Sequence, residues 1–149
     1  MNKEQRYSRL YSQIVPLMAR TIDPDARMAT IVAILHHKMG YFFWTGFYLL
    51  REGELTVRTY QGPLACQVLE PHKGVCWAAI DQQKTIIVPD VHLFPGHIAC
   101  DSRSQSEIVV PLIKDNRVTG VLDVDSKEKA SFDETDGRWL NQIVRLIYQ

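Results

Sequence analysis

Three cysteines, a set of strand carboxylates and one aromatic segment carry the chemistry open to this sequence. Cys100 stands in GHIACDSRSQSEIVVPLI, residues 96 to 113, where a loop of glycine, serine and charge leads into an apolar run opening with Glu107. The thiolate is the reactive form of cysteine, and His97 or open backbone amides beside Cys100 would lower its pKa from the free value of about 8.5. Cys66 follows GPLA at the start of a short strand. Cys76 lies in GVCWAAI, helical and half-buried, where a cysteine is ordinarily inert packing. Loop thiols at separate points in a chain suit a nucleophile that becomes a sulfenic acid and is then resolved by a second thiol.

The carboxylates are placed by strand alternation. In EIVVPLI the even positions Ile108, Val110 and Leu112 are apolar, and in VTGVLDVD so are Val118, Gly120, Leu122 and Val124. Both even faces belong to a core. For them to coincide across a hairpin, the turn around Lys114 to Arg117 must hold an odd number of residues, with Asn116 suited to a left-handed position. The same register gathers Glu107, Asp123 and Asp125 on the opposite face. Three acids so gathered repel unless a cation sits among them or one keeps a proton. A plain wet face is the simplest account of strand charges, but Val109, Pro111 and Val121 on the same side imply cover, and hence a pocket for an ammonium, a metal ion or a proton.

A second wall is expected from WTGFYLL. Trp44, Gly46 and Tyr48 alternate onto one side of a strand, so two rings flank a position without a side chain. That is either an ordinary core aromatic pair or a slot for something small, apolar or cationic.

The elements that must position these groups follow from periodicity and breakers. Tyr7, Leu10, Tyr11, Ile14, Leu17 and Met18 keep helical spacing, with Pro16 expected to bend or end the helix. Asp23-Pro24 starts a second helix, with Met28, Val32, Leu35 and Met39 as its apolar face and Gly40 expected to close it. Strands at about Trp44 to Arg51 and Leu55 to Tyr60 join through Glu52-Gly53. A short strand from Cys66 to Leu69, a helix from about Gly74 to Gln83 and a strand from Thr85 to Val88 come next. A loop from Pro89 to about Gln105 is long enough to suggest function. Two more strands and a last helix complete the chain. Ser131 and Glu134 form an expected capping box, and Leu140, Ile143, Val144 and Ile147 a buried stripe. The order specifies an α+β fold, helices packed on an antiparallel sheet, in a single domain over residues 1–149.

Composition narrows the partners. The chain has 17 Lys+Arg against 17 Asp+Glu, so no global field draws it to nucleic acid or anionic membrane. No signal-type leader is expected ahead of MNKEQRYSRLY, and no apolar run reaches transmembrane length. Three cysteines cannot all pair within one chain and no CxxC is present, which points to a reducing, cytoplasmic setting.

The run DVHLFPGHIACDSRSQSEIVVPL, with GPLAC, GVC and GVLDVDS, resembles the GAF-domain free methionine-(R)-sulfoxide reductases from FFWTGFYLL through GVLDVDS. The resemblance implies a GAF fold and reduction of free L-methionine (R)-S-oxide. It implies Cys100 as the catalytic nucleophile, Cys66 as the resolving cysteine that forms a disulfide with it, and Cys76 as an additional recycling thiol. Trp44, Tyr48, Glu107, Asp123 and Asp125 would line the substrate pocket, with Glu107 or Asp125 as proton donor to the departing oxygen. The remaining acids would hold the α-ammonium, which a methionine inside a polypeptide does not offer. Thioredoxin is the implied external reductant, with no bound cofactor and no metal, and a homodimer through the helices is an expectation of the same kind. One departure stands out: the family reads GVCG where this chain reads GVCW, so Trp77 is expected to alter helix packing or the access of Cys76 to recycling.

Three other readings compete. A ligand-sensing GAF domain without chemistry is disfavoured by the expectation that no output domain follows Gln149. A zinc site from Cys66, Cys76, His92, His97 and Cys100 lacks the paired spacing of structural zinc. A cysteine hydrolase built on Cys100 and His97 leaves two cysteines without a use. His36, His37 and His72 are expected on the surface or on helices.

Overall fold

The computed structural model describes residues 1–97 and 100–149; Ile98 and Ala99 of the GHIACD motif lie outside the described residues. Helix α1 (Lys3–Met18) begins at Asn2, which forms a capping box with Gln5, and runs two residues past Pro16. Its buried residues Tyr7, Leu10, Ile14 and Met18 recur at three- and four-residue steps, the face a helix turns to a core. Helix α2 (Pro24–Lys38) begins at Asp23, whose side chain accepts from the Asp25 N–H. Gly40 does not close it. The buried Met39 takes the terminal position in an extended conformation, its N–H still bonded to the Leu35 carbonyl.

Among the described residues six strands form one antiparallel sheet in the order β3-β2-β1-β6-β5-β4. They are β1 (Trp44–Arg51), β2 (Glu54–Gln61), β3 (Val68–Leu69), β4 (Ile86–Val88), β5 (Ser106–Lys114) and β6 (Arg117–Ser126). Glu52 and Gly53 both adopt positive φ, 53° and 77°, as a two-residue turn compatible with strand twist requires. Cys66 precedes β3, in the loop from Gly62, rather than opening the strand.

The sheet separates two cores. Helices α1, α2 and α4 (Glu134–Arg145) pack on one face against Phe47, Leu49 and the even residues Ile108, Val110, Leu112, Leu122 and Val124. Helix α3 (Gly74–Gln82) covers part of the other, against Trp44, Tyr48, Val109 and Val121. The β5–β6 turn is not odd. Asp115 and Asn116, at φ 52° and 64°, make a two-residue turn between Lys114 and Arg117, and the extra residue, Thr119 on β6, enters as a β-bulge opposite the step from Leu112 to Ile113. Leu112 still faces Gly120, so the two core faces coincide, while Val118 passes to the second core.

Helix α4 is capped by Asp133, which accepts from the N–H groups of Thr135 and Asp136, and Asp136 at the third helical position returns a bond to the Asp133 N–H. Ser131 is therefore not the cap. A carboxylate two residues later presents its oxygens to the first turn, and the Ser131 hydroxyl pairs with Ser126 instead. No helix of the described residues is long and apolar enough to cross a membrane.

Candidate active site

The sheet face under α3 forms the floor of a hollow enclosing about 590 Å3, mouth included. Glu107 and Asp125 are paired directly across β5 and β6, and Asp123 faces Val109 one pair further along. Strand β1 lies on the other side of β6, where Trp44 opposes Asp125 and Gly46 opposes Asp123. The acids that alternation gathered on one face and the rings that it set on one side of β1 prove to line a common cavity, and Cys100 lines it from the loop above.

The glycine gap between the rings is not empty. A Cβ on Gly46 would lie 2.5 Å from Cη2 of Trp44 and 2.4 Å from the Tyr60 Cβ, so the indole itself lies over the glycine. Trp44 stacks on Tyr60 at 5.3 Å and on Tyr48 at 5.8 Å between ring centroids. The result is a layered aromatic wall rather than an open slot, and the absence of a side chain at residue 46 is what admits it. The Tyr48 hydroxyl donates to the Cys66 carbonyl at 3.2 Å, tying that wall to the cysteine loop.

Cys66 and Cys100 are joined as a disulfide, their Cα atoms 5.4 Å apart, and Cys76 remains a free thiol. Cys100 is solvent-exposed, whereas Cys76 is buried on α3 with its sulfur near Glu107 and Asp123. Burial raises the Cys76 thiol pKa well above its ordinary value, and the negative neighbours Asp123 and Glu107 raise it further. Trp77 points elsewhere. It is buried, its indole N–H donates to the Leu69 carbonyl at 3.4 Å, and its ring meets His72 at 4.7 Å.

The electrostatics of the acids follow from their cover. Glu107 and Asp123 are 6% exposed, and among the described residues no lysine or arginine pairs with them or with Asp125. Burial first, then the charges of Asp123 and Asp125, push the Glu107 carboxyl well above the usual range. Asp125, half-buried, is raised by desolvation and by its neighbours Asp123 and Asp101. Burial also raises Asp123, but hydrogen bonds from Glu107 and Cys76 oppose that rise. All three acids are thus pushed toward the protonated form, Glu107 and Asp125 well above their ordinary values and Asp123 with its rise opposed. The Asp123 Oδ1 is buried and accepts no hydrogen bond.

Several groups at the site were not assigned there from sequence. Asp101 lines the cavity while its carboxylate is bridged by Arg103, which holds its pKa down to about 2. Buried Ser104 also lines the cavity, and half-buried Tyr60 backs its wall by stacking on Trp44. Tyr60 reaches Trp44 through a register shift between Gly46 and Tyr48, which no residue pattern announces. His97, noted beside Cys100 in sequence, places Nε2 3.9 Å from Glu107 Oε1. Burial lowers the His97 pKa, so the ring favours its neutral form. His92 is exposed in a short 3-10 turn at Val91–Leu93, away from any shared metal-ligand cluster of the described residues, and the five-residue zinc arrangement does not assemble.

Residues 21–149 match the GAF domain. The chain is 48% identical over 147 residues to GAF domain-containing protein A of Dictyostelium discoideum, covering 98% of this chain and 92% of that protein. It is 39% identical over 144 residues to the free methionine-R-sulfoxide reductase of Escherichia coli, covering 97% and 87% respectively. Its fold superposes on the X-ray structure of free methionine-R-sulfoxide reductase from Neisseria meningitidis in complex with its substrate, with a TM-score of 0.95 and 41% identity over 99% of this chain and 89% of that one. With near full-length identity of this order, and a cysteine pair closed over a ring-walled acidic cavity, the chain belongs to the GAF-domain free methionine-R-sulfoxide reductases.

Proposed function

We propose that this protein reduces free methionine-(R)-sulfoxide to methionine at the cavity beneath Cys100. The observation that carries the reading is the Cys66–Cys100 disulfide over an acidic floor where Asp123 keeps an unpartnered oxygen. An α-ammonium is the complementary group, a cationic donor for an acceptor oxygen left free. Trp44 and Tyr48 offer the apolar wall for the S-methyl group. A sulfoxide with its methyl, oxygen and side chain all fixed is bound as one epimer.

In the dithiol state, the Cys100 thiolate attacks the sulfoxide sulfur. Two electrons pass to that sulfur, its S–O bond breaks with uptake of a proton, and the oxygen ends on Cys100 as a sulfenic acid while methionine leaves. Glu107, held neutral on the cavity floor, is the proton donor this reading favours, with Asp125 beside it. The Cys66 thiol then condenses with the sulfenic acid, releasing water and forming the disulfide. A dithiol reductant of the thioredoxin class restores both thiols by exchange, entering at the exposed Cys100. Cys76, buried and protonated, stands aside from this cycle in the disulfide state.

The test is turnover of racemic free methionine sulfoxide with a thioredoxin system, followed by NADPH. Consumption that stops at half the substrate is expected, and no consumption removes the reading. Cys100→Ser should abolish turnover, and Cys66→Ser should leave one methionine released per chain; repeated unimpaired turnover with thioredoxin in the latter would reassign the resolving role. Glu107→Gln should slow the chemical step by roughly 10²–10⁴-fold.

A further inference from the structure

Beneath the reactive disulfide lies a second grouping that uses a different cysteine. The Cys76 sulfur and one oxygen each of Glu107 and Asp123 lie within 4.8 Å of one another. All three residues are buried, and all three line the cavity, so the cluster has an entry path from solvent. Two carboxylates and a thiol converge there without a lysine or arginine among the described residues to balance them. Asp123, 6% exposed, leaves Oδ1 without a partner. An amino acid's ammonium satisfies the carboxylates but gains little from a sulfur. A borderline-soft divalent cation gains from both, because thiolate and carboxylate are ordinary zinc ligands at about 2.3 and 2.0–2.2 Å, the Cys76 and Glu107 protons passing to solvent as it binds. The present spacing needs only a modest closing of side chains to reach those lengths, and the cavity supplies a fourth position for water.

We propose that Cys76, Glu107 and Asp123 form a zinc-type divalent cation site on the cavity floor, open on its fourth side. The site needs neither Cys66 nor Cys100, so it exists while those two are bonded to each other. A cation there occupies the acids that face the cavity, and the ion acts as a reversible blocker of the hollow rather than as a cofactor.

The oxidised protein separates this from ordinary dithiol chelation, because Cys76 is then its free thiol. Cobalt(II) is the probe: added to the oxidised protein, it should develop a thiolate-to-cobalt charge-transfer band and the visible bands of a four-coordinate ion, and zinc should bleach both. Cys76→Ser should lose the charge-transfer band. Asp123→Asn, which keeps the shape of the floor, should weaken binding at least about ten-fold with the band retained at saturation. Cobalt binding without a sulfur band, or an unchanged band in Cys76→Ser, would overturn the proposal, as would wild-type affinity in Asp123→Asn with native circular dichroism. The readout is spectroscopic and made on protein that does not turn over, so it stands apart from the sulfoxide-reductase reading.

Discussion

Glu107 and Asp125 occupy a directly opposed pair on β5 and β6, where like charges ordinarily destabilise a sheet. The pair persists because burial and mutual repulsion favour the protonated carboxyls, and because Asp123 one step away accepts a hydrogen bond from Glu107. The acidity of the floor is thus a property of the group and not of any one side chain.

That relationship makes stability depend on pH with a definite sign. The folded pKa of Glu107 lies above that of the unfolded chain, about 4.3. Its contribution is complete below the unfolded value and is lost as pH rises through the folded one. Glutamine stands in for the protonated acid, so Glu107→Gln should melt higher than the parent at pH 8, with the gap closing toward pH 4. Each pKa unit corresponds to about 1.4 kcal/mol, and each kcal/mol to on the order of 2–4 °C. A gap that does not change with pH would mean that Glu107 is charged in the folded state.

Cys76 should resist alkylation in the oxidised, metal-free protein. It is 4% exposed and its thiol pKa is far above neutrality, so iodoacetamide at pH 7 should leave it unmodified for as long as free cysteine takes to react fully. Mass spectrometry after unfolding should then find one alkylatable thiol. Rapid native labelling of residue 76 would contradict the burial described.

Helix α1 lies ahead of the matched GAF span, yet it is bound to α4 through one acid. Asp136 is fully buried and accepts from Tyr7 Oη at 2.6 Å, from Tyr41 Oη, from Lys3 Nζ at 2.6 Å and from the Asp133 N–H. Tyr7→Phe should cost about 1–3 kcal/mol, since it strips a donor from a buried carboxylate. Asp136→Ala should cost more, about 3–5 kcal/mol, by orphaning several donors and the cap at once. Urea unfolding of the two variants ranks them, and the reverse order would refute the anchoring role.

Gly46→Ala places a methyl where Trp44 and Tyr60 already stand. The indole must tilt or the strand must shift, a change that overpacking normally prices at about 1–3 kcal/mol. A lowered melting temperature and an altered near-ultraviolet circular dichroism signal from the stacked rings are expected. If neither changes, the aromatic wall is looser than its centroid distances indicate.

How far residue patterns reach is clear from particular cases. Alternation in EIVVPLI and VTGVLDVD was enough to bring Glu107, Asp123 and Asp125 to one face, because a strand's side-chain period is two and a core claims one side of it. The location of the odd residue was not accessible in that way. Parity demands one extra residue between Leu112 and Gly120 but is indifferent to whether a turn or a bulge holds it, and Asp115-Asn116 chose the tight turn. The cap of α4 failed for a local reason: Ser131 and Asp133 both precede the helix, and only backbone geometry selects between two acceptors so close together.

From sequence alone came the α+β order, the acidic strand face, the alternation of Trp44 and Tyr48, and a reactive thiol in a polar loop, all consequences of short-range periodicity and side-chain chemistry. Tertiary structure decided that Trp44 folds over Gly46 onto Tyr60, that Cys66 and Cys100 meet across 34 positions while Cys76 is buried on the cavity floor beneath them, and that Asp123 is left with an unpartnered oxygen. Those outcomes depend on the distance between groups remote in the chain and on how much water remains between them, and neither quantity exists until the sheet and α3 have packed.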